Sequence, residues 1–266
     1  LHDFEPASHR VEPGDLAEID RWILDRTRRL VARCREAYLS YDFHVVVHAL
    51  NNFCSTDLSA LYLDIAKDRL YCSAVDARGR RASQTALSQI LEDLTRLMAP
   101  ILSFTADEIW GYLPKVAGRE ESVFLSDFPA VAEGELDDGL AATWERMLEV
   151  RAAVTKALEK ERQEGRIGHS LDAGIRLGFD HDGSLAALLA PRLDDLPALF
   201  IVSHVALDPA LPKSAESPLV PGLRIAIDPA PGAKCARCWN YRTTVGEVAD
   251  HPTICSRCAA VVTGAA

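Results

Sequence analysis

The sequence predicts a mainly α protein in which a helical bundle is followed by a small α+β unit and a four-cysteine zinc ribbon. Three observations predict it. Apolar residues recur at three- and four-residue spacing through most of the first 166 residues. The period falls to two over residues 173–179, as in a strand. Near the end stand two Cys-x-x-Cys pairs, Cys235/Cys238 and Cys255/Cys258, sixteen residues apart, the interval of a four-thiolate zinc site. The expected organisation is a connecting segment over 1–14, a helical domain over 15–166, an α+β subdomain over 167–228 and a zinc-binding domain over 229–266.

Residues 1–14 are polar, contain Pro6, Pro13 and Gly14, and read as a loop. Asp15 with Glu18 makes a cap-like start. Leu16, Ile19, Ile23, Leu30, Cys34 and Tyr38 then mark a long amphipathic helix to about residue 40. Its outer face carries Arg21, Arg26, Arg28, Arg29, Arg33 and Arg35. Two readings fit that face: a solvated basic surface partly neutralised by Asp20, Asp25 and Glu36, or a surface that contacts phosphates. Asp42 caps a second helical stretch over 43–71, and the polar run Asn51, Asn52, Ser55, Thr56 and Asp57 predicts a kink or break in it.

A third helix spans 80–98 and stops before Pro100. Thr105-Ala-Asp-Glu108 has the form of a capping box, with Phe104 and Ile109 placed for a hydrophobic staple. Residues 114–134 read as irregular, with 122–128 extended. A long helix from about Leu136 passes Trp144, Met147, Val154 and Leu158 and ends at Gly165, a C-cap. Beyond it come a strand at 173–179, short helices at 184–190 and 195–199, and strands at 200–207 and 222–228. The Cys pairs flank Val245–Val248, expected to form part of a ribbon.

Composition sets limits. With 266 residues, 48% hydrophobic and 26% charged, the chain is long enough for one large domain or two to three small ones. No apolar run reaches the length of a membrane span. A net charge of −10 argues against coating nucleic acid non-specifically but leaves room for a local basic patch. Cys34, Cys54 and Cys72 fall in helical patterns and read as reduced residues of a cytoplasmic protein. There is no Gly-rich phosphate loop, no Gly-x-Ser-x-Gly and no His-Glu-x-x-His, so no catalytic residue is assigned. His44 and His48 share a helix face without a partner carboxylate motif, and read as partly buried, hydrogen-bonded helix residues.

The four cysteines form a closed site for one structural Zn²⁺. A redox reading needs only one pair, and a disulfide framework belongs to small secreted chains. Trp239 follows the first pair directly, with Lys234, Arg237, Arg242 and Arg257 around it. An aromatic on a rigid knuckle rimmed by cations can stack an unpaired base. Alternatively, Trp239 packs over the metal site and the cations offset the thiolates. In that case the polar helix face around Asn51, Lys67 and Arg69 is the remaining place to read bases.

The run from Tyr41 to Tyr71 resembles the anticodon-binding helical domain of the isoleucyl-tRNA synthetase family, as does Leu97–Trp110. Valyl, leucyl and methionyl synthetases carry similar versions. Glu121–Pro129 and Ile167–Ala173 continue the likeness. The terminal Cys-x-x-Cys-Trp and Cys-x-x-Cys resemble the C-terminal zinc domain of the bacterial-type isoleucyl enzymes, whereas the valyl relative ends in a coiled coil. The resemblance implies a class I synthetase anticodon-binding bundle that recognises tRNA(Ile) at its anticodon stem and loop. It implies a monomeric, cytoplasmic enzyme using ATP in catalytic and editing domains N-terminal to this part. The His-Ile-Gly-His and Lys-Met-Ser-Lys-Ser signatures are absent, and the chain opens at Leu1, so a C-terminal portion with no catalytic activity of its own is expected. The candidate tRNA contacts are Trp239, Arg237, Arg242, Arg257, Arg26, Arg29, Asn51, Lys67 and Arg69. The alternatives are a stand-alone zinc-ribbon interaction module, or the equivalent part of a valyl-type synthetase.

Overall fold

The computed structural model describes residues 1–179 and 183–265. They form two compact units, Leu1–Ala141 and Ala142–Ala266.

In the first unit, α1 (Glu18–Leu39) is flanked by α2 (residues 43–72) and α3 (Arg78–Met98), and α4 (Ser103–Tyr112) packs on α3. Trp22, Ile23, Val31, Tyr62, Ile90 and Leu97 are fully buried, because the three- and four-residue repeat brings them to one stripe per helix. The N-terminal segment is not the expected loop: Pro6–His9 forms one helical turn and Pro13–Asp15 a 3₁₀ turn. It is held by Phe4, which is buried, and by Asp3, which accepts from Arg80 Nη1 and Nη2 (2.7 and 2.9 Å) and from Gln84 Nε2 (2.8 Å).

Several boundaries moved for local reasons. The first helix starts at Glu18 after an uncapped Ala17, since Asp15 sits in the 3₁₀ turn. No break interrupts α2. Its α-helical ends, Phe43–Asn52 and Asp64–Cys72, are joined by an eleven-residue π-helical stretch, Phe53–Leu63. The polar run is absorbed by widening the helix, with Ser55 Oγ donating back to the Asn51 carbonyl at 2.7 Å. The capping box at Thr105 does not form: α4 begins two residues earlier, at Ser103, whose hydroxyl donates to the Ala99 carbonyl at 3.1 Å. Phe104 is accordingly 94% exposed and makes no staple. Residues 123–125 make a 3₁₀ turn, with the Ser122 hydroxyl accepting from the Phe124 N–H.

The next helix, α5 (Asp138–Gln163), has its first turn in the first unit and the rest in the second. It starts with Asp137 Oδ1 accepting from Leu140 N at 2.8 Å and ends as expected at Gly165, with φ +73°. The second unit also holds a three-stranded sheet in the order β2-β1-β3, made of β1 (Ala173–Phe179), β2 (His204–Leu207) and β3 (Leu223–Pro229). Strands β1 and β2 run parallel, with Ile175 opposite Val205, and β1 and β3 run antiparallel, with Ile175 opposite Ile227. Gly178 lets β1 pass the next segment, because a Cβ there would lie 2.7 Å from the Asp208 carbonyl oxygen.

Helices α6 (Ser184–Leu189) and α7 (Leu196–Phe200) lie in the crossover. The strand expected from Phe200 starts only at His204, because α7 includes Phe200 and closes at Ile201 in the left-handed region, with Val202 N donating to the Pro197 carbonyl at 2.9 Å. The closing ribbon is not at Val245–Val248, which is a turn and bend. It pairs β4 (Ala233–Lys234) with β5 (Tyr241–Arg242), and α8 (Ser256–Thr263) follows. No helix is long and apolar enough to cross a membrane among the described residues.

Candidate metal centre

Cys235 and Cys238 sit on the turn between β4 and β5. Cys255 is the N-cap of α8 and Cys258 lies in its first turn. The first knuckle is closed by backbone bonds: Trp239 N donates to the Cys235 carbonyl and Cys235 N to the Asn240 carbonyl, both at 2.9 Å. The buried Asn240 amide donates to the Cys238 carbonyl at 3.2 Å. This tight path places Trp239 at φ +65°, a left-handed conformation rare for a bulky residue. Gly232 is needed where the chain enters, since a Cβ there would lie 2.3 Å from the Arg242 carbonyl carbon.

All four sulfurs lie within 4.8 Å of one another, and all four cysteines are buried. A tetrahedron of Zn–S bonds of about 2.3 Å separates its sulfurs by about 3.8 Å, so the set fits that ion with small adjustment. Burial pushes the Cys258 thiol up to about 12 and raises Cys238 as well. For Cys235, burial opposes ionisation, but the N–H groups of Cys238, Cys255 and Arg237 outweigh it and bring the thiol down to about 6. Four buried sulfur atoms that converge on one point are the donor set of a thiolate metal site, where binding displaces the thiol protons. Two donors also reach the sulfurs: Cys255 N to Cys235 Sγ at 3.3 Å, and Arg237 Nη1 to Cys258 Sγ at 3.6 Å. No other group of three or more His, Cys, Asp or Glu residues comes together for a metal among the described residues. His44 and His48 are both exposed and not, as expected, partly buried.

The other residues singled out in the sequence fall into two sets. Around the knuckles, Trp239 is 62% exposed, Lys234, Arg242 and Arg257 are exposed, and Arg237 is half-buried. In the helical unit the four candidate cations Arg26, Arg29, Lys67 and Arg69 are engaged by carboxylates. Arg26 pairs with Asp57 at 2.8 Å, and Arg29 with Asp25 and Asp138 at 2.7 and 2.8 Å, which raises its guanidinium pKa further. Lys67 pairs with Asp64 at 2.6 Å. Arg69 makes a bidentate contact to Asp20, both bonds 2.9 Å. Asn51 is exposed on α2.

Sequence reasoning missed the centre of that second set. Asp20 is fully buried and accepts from the Tyr62 hydroxyl at 2.7 Å as well as from Arg69. The signal was present: Asp20 falls between Leu16 and Ile23 on the apolar stripe of its helix, where a carboxylate needs a buried partner. Ser203 was also missed. Its hydroxyl accepts from Tyr241 N at 2.8 Å and donates to the Leu171 carbonyl at 2.6 Å, tying the knuckle segment to the sheet.

A helical bundle with a four-thiol knuckle pair, and an aromatic held outward beside it, defines a helical protein with a zinc-finger module. The chain belongs to the family of anticodon-binding domains of tRNA ligases: that family's sequence profile matches residues 20–177. A second profile, the zinc finger found in FPG and IleRS, matches residues 232–261. The chain is 47% identical to the isoleucine–tRNA ligase of Moorella thermoacetica and 46% identical to that of Carboxydothermus hydrogenoformans, over 98% of its length in each case. It is 44% identical to that of Syntrophotalea carbinolica over 99%. The chain spans 28% of the length of each of these relatives. These findings do not favour a stand-alone zinc-ribbon module or a valyl-type synthetase.

Proposed function

We propose that this chain is the tRNA-recognition part of an isoleucine–tRNA ligase. It binds tRNA(Ile) at the anticodon stem and loop, while ATP-dependent aminoacylation and editing belong to domains on the N-terminal side of the same cytoplasmic, monomeric polypeptide. One structural Zn²⁺ is held by Cys235, Cys238, Cys255 and Cys258. We keep the domain limits at 15–166, 167–228 and 229–266, after a connecting segment over 1–14. The observation that carries this reading is the pairing of an anticodon-binding profile over 20–177 with a buried four-cysteine finger that holds Trp239 outward.

The cation placement supports a division of labour. Trp239, Arg242 and Arg257 offer an exposed aromatic face and exposed charge for an unstacked base and its phosphates. Arg26, Arg29, Lys67 and Arg69 would contact RNA only by sharing or leaving their carboxylates, so Asn51 is the readier base contact on the helices. The test is binding of tRNA(Ile) transcript to the 266-residue chain across a salt series. A slope of log K against log salt of about −0.7 to −0.9 for each phosphate contact is expected, with weaker binding to a transcript whose anticodon is altered. Equal affinity for both transcripts would remove the anticodon reading.

A further inference from the structure

The two knuckles have the same form, Cys235-Ala-Arg237-Cys238 and Cys255-Ser-Arg257-Cys258, with arginine just ahead of the second sulfur in each. Arg237 does not stay with its own knuckle. Its Nη1 donates across to Cys258 Sγ of the other at 3.6 Å, and its side chain is half-buried in doing so. The second knuckle answers in kind: Cys255 N donates to Cys235 Sγ at 3.3 Å, and Thr253 accepts from Ala236 N at 3.0 Å. Each knuckle therefore gives an N–H to a sulfur of the other. The wider segment adds little apolar support, since the only buried residues between 232 and 261 are the four cysteines, Asn240 and Ala259.

A divalent ion with four thiolates keeps an excess of negative charge on its sulfurs. A guanidinium N–H beside one of them draws that charge and stabilises the ligand form. A sulfur without such a donor is the easiest to protonate or to lose to an electrophile. We infer that Arg237 is a positioning residue of the metal centre, whose bond to Cys258 locks the two knuckles together and keeps that sulfur on the metal. Its substitution then weakens the finger before it affects any RNA contact. This rests on the zinc assignment above and goes beyond it.

The test uses the full 266-residue chain, without RNA, and begins with the zinc content of the parent protein. Absence of metal there would remove the zinc assignment itself. With zinc present, transfer of the metal to a chromogenic chelator is timed for parent, Arg237→Met and Arg237→Lys, and mass spectrometry reads which cysteine iodoacetamide reaches first. Met keeps length and loses the donor, and release is expected to quicken about 10- to 100-fold, with Cys258 alkylated first. Lys keeps a donor and is expected to stay within about threefold of the parent. The inference is overturned if Met releases zinc at the parent's rate, or if Lys leaks as fast as Met, the sign of simple packing. Should Met fail to hold zinc at all, Lys decides: zinc retained supports the bond to Cys258, and zinc lost rejects it.

Discussion

The helical unit and the finger hold themselves together by opposite means. The helices bury large side chains such as Trp22, Tyr62 and Ile90, and Arg26, Arg29, Lys67, Arg69 and Arg80 are tied into pairs with Asp57, Asp25, Asp64, Asp20 and Asp3. The finger buries almost nothing apolar, draws its sulfurs to one point and leaves Trp239, Arg242 and Arg257 in solvent. An arginine-rich helix face therefore does not by itself mark a nucleic-acid surface. Beside an apolar core, a guanidinium can serve to satisfy a buried carboxylate, as Arg69 does for Asp20 and Arg29 for Asp25. In the finger, by contrast, an aromatic and two guanidinium groups stand exposed.

The sharpest way to break this contrast is to remove the metal. Zinc binding in small four-ligand domains corresponds to roughly 10 to 16 kcal/mol of apparent free energy, so Cys238→Ser or exhaustive chelation should unfold the finger. Hydrogen exchange is expected to lose protection over 232–261, while the helices 18–112 keep theirs. Protection unchanged after elemental analysis shows the zinc gone would mean that the finger folds without it.

The same contrast predicts where the helical unit is vulnerable. Asp20 is buried with Tyr62 and Arg69 as its partners. Removing one member strands a buried charge, which costs about 3 to 5 kcal/mol. Arg69→Met should show that loss in urea unfolding with zinc content unchanged. A cost below about 1 kcal/mol, the level of an exposed pair, would mean that Arg69 contributes no more than a surface ion pair.

A third measurement concerns a carboxylate whose desolvation outweighs its nearby cations. Asp93 is held up to about 6, chiefly by burial, with Arg96 and Arg28 opposing and Glu92 and Glu135 reinforcing the shift. Its folded form binds the proton more tightly than the ordinary carboxylate at 3.8. Its relative stabilisation is thus present in acid and lost as pH rises through about 6. At pH 7.5 the ionised group costs up to about 3 kcal/mol. Asp93→Asn should therefore be more stable than the parent at pH 7.5, and the gain should shrink towards zero near pH 4. A gain independent of pH would point to packing instead.

How much of this was legible in the sequence follows the same divide. The convergence of the four cysteines was readable because a metal site needs fixed residue types at fixed short spacing. Long amphipathic helices were readable too, since their period repeats over many residues. Some helix starts were not: Thr105-Ala-Asp-Glu108 has the letters of a capping box, but a serine two residues upstream bonds the preceding turn and starts the helix first. The π-helical stretch was also hidden, because polar residues at 51–57 signal local competition for backbone bonds without saying how it resolves. The pairing of Arg69 with Asp20 joins residues far apart in the chain, and no local pattern announces the partner.

The smallest expected effect concerns Trp239, and it discriminates most directly between a ring that serves the fold and one that serves a partner. The side chain is 62% exposed, yet its backbone sits at φ +65°, so the knuckle holds a bulky residue where glycine would be easier. Alanine in that conformation is no more comfortable, and Trp239→Ala removes the ring without relieving the backbone. If the ring stacks an unpaired base, the change should weaken tRNA(Ile) binding by about 1 to 3 kcal/mol, with zinc content and salt slope unchanged, because no phosphate contact is lost. The penalty should be smaller on a transcript with an altered anticodon loop, where the stack is already compromised. Trp239→Phe should recover part of the loss, since it keeps an aromatic face of smaller area. If Trp239→Ala instead loses zinc, the ring belongs to the metal centre. If it keeps both zinc and full affinity, base recognition moves to the exposed face of α2 around Asn51.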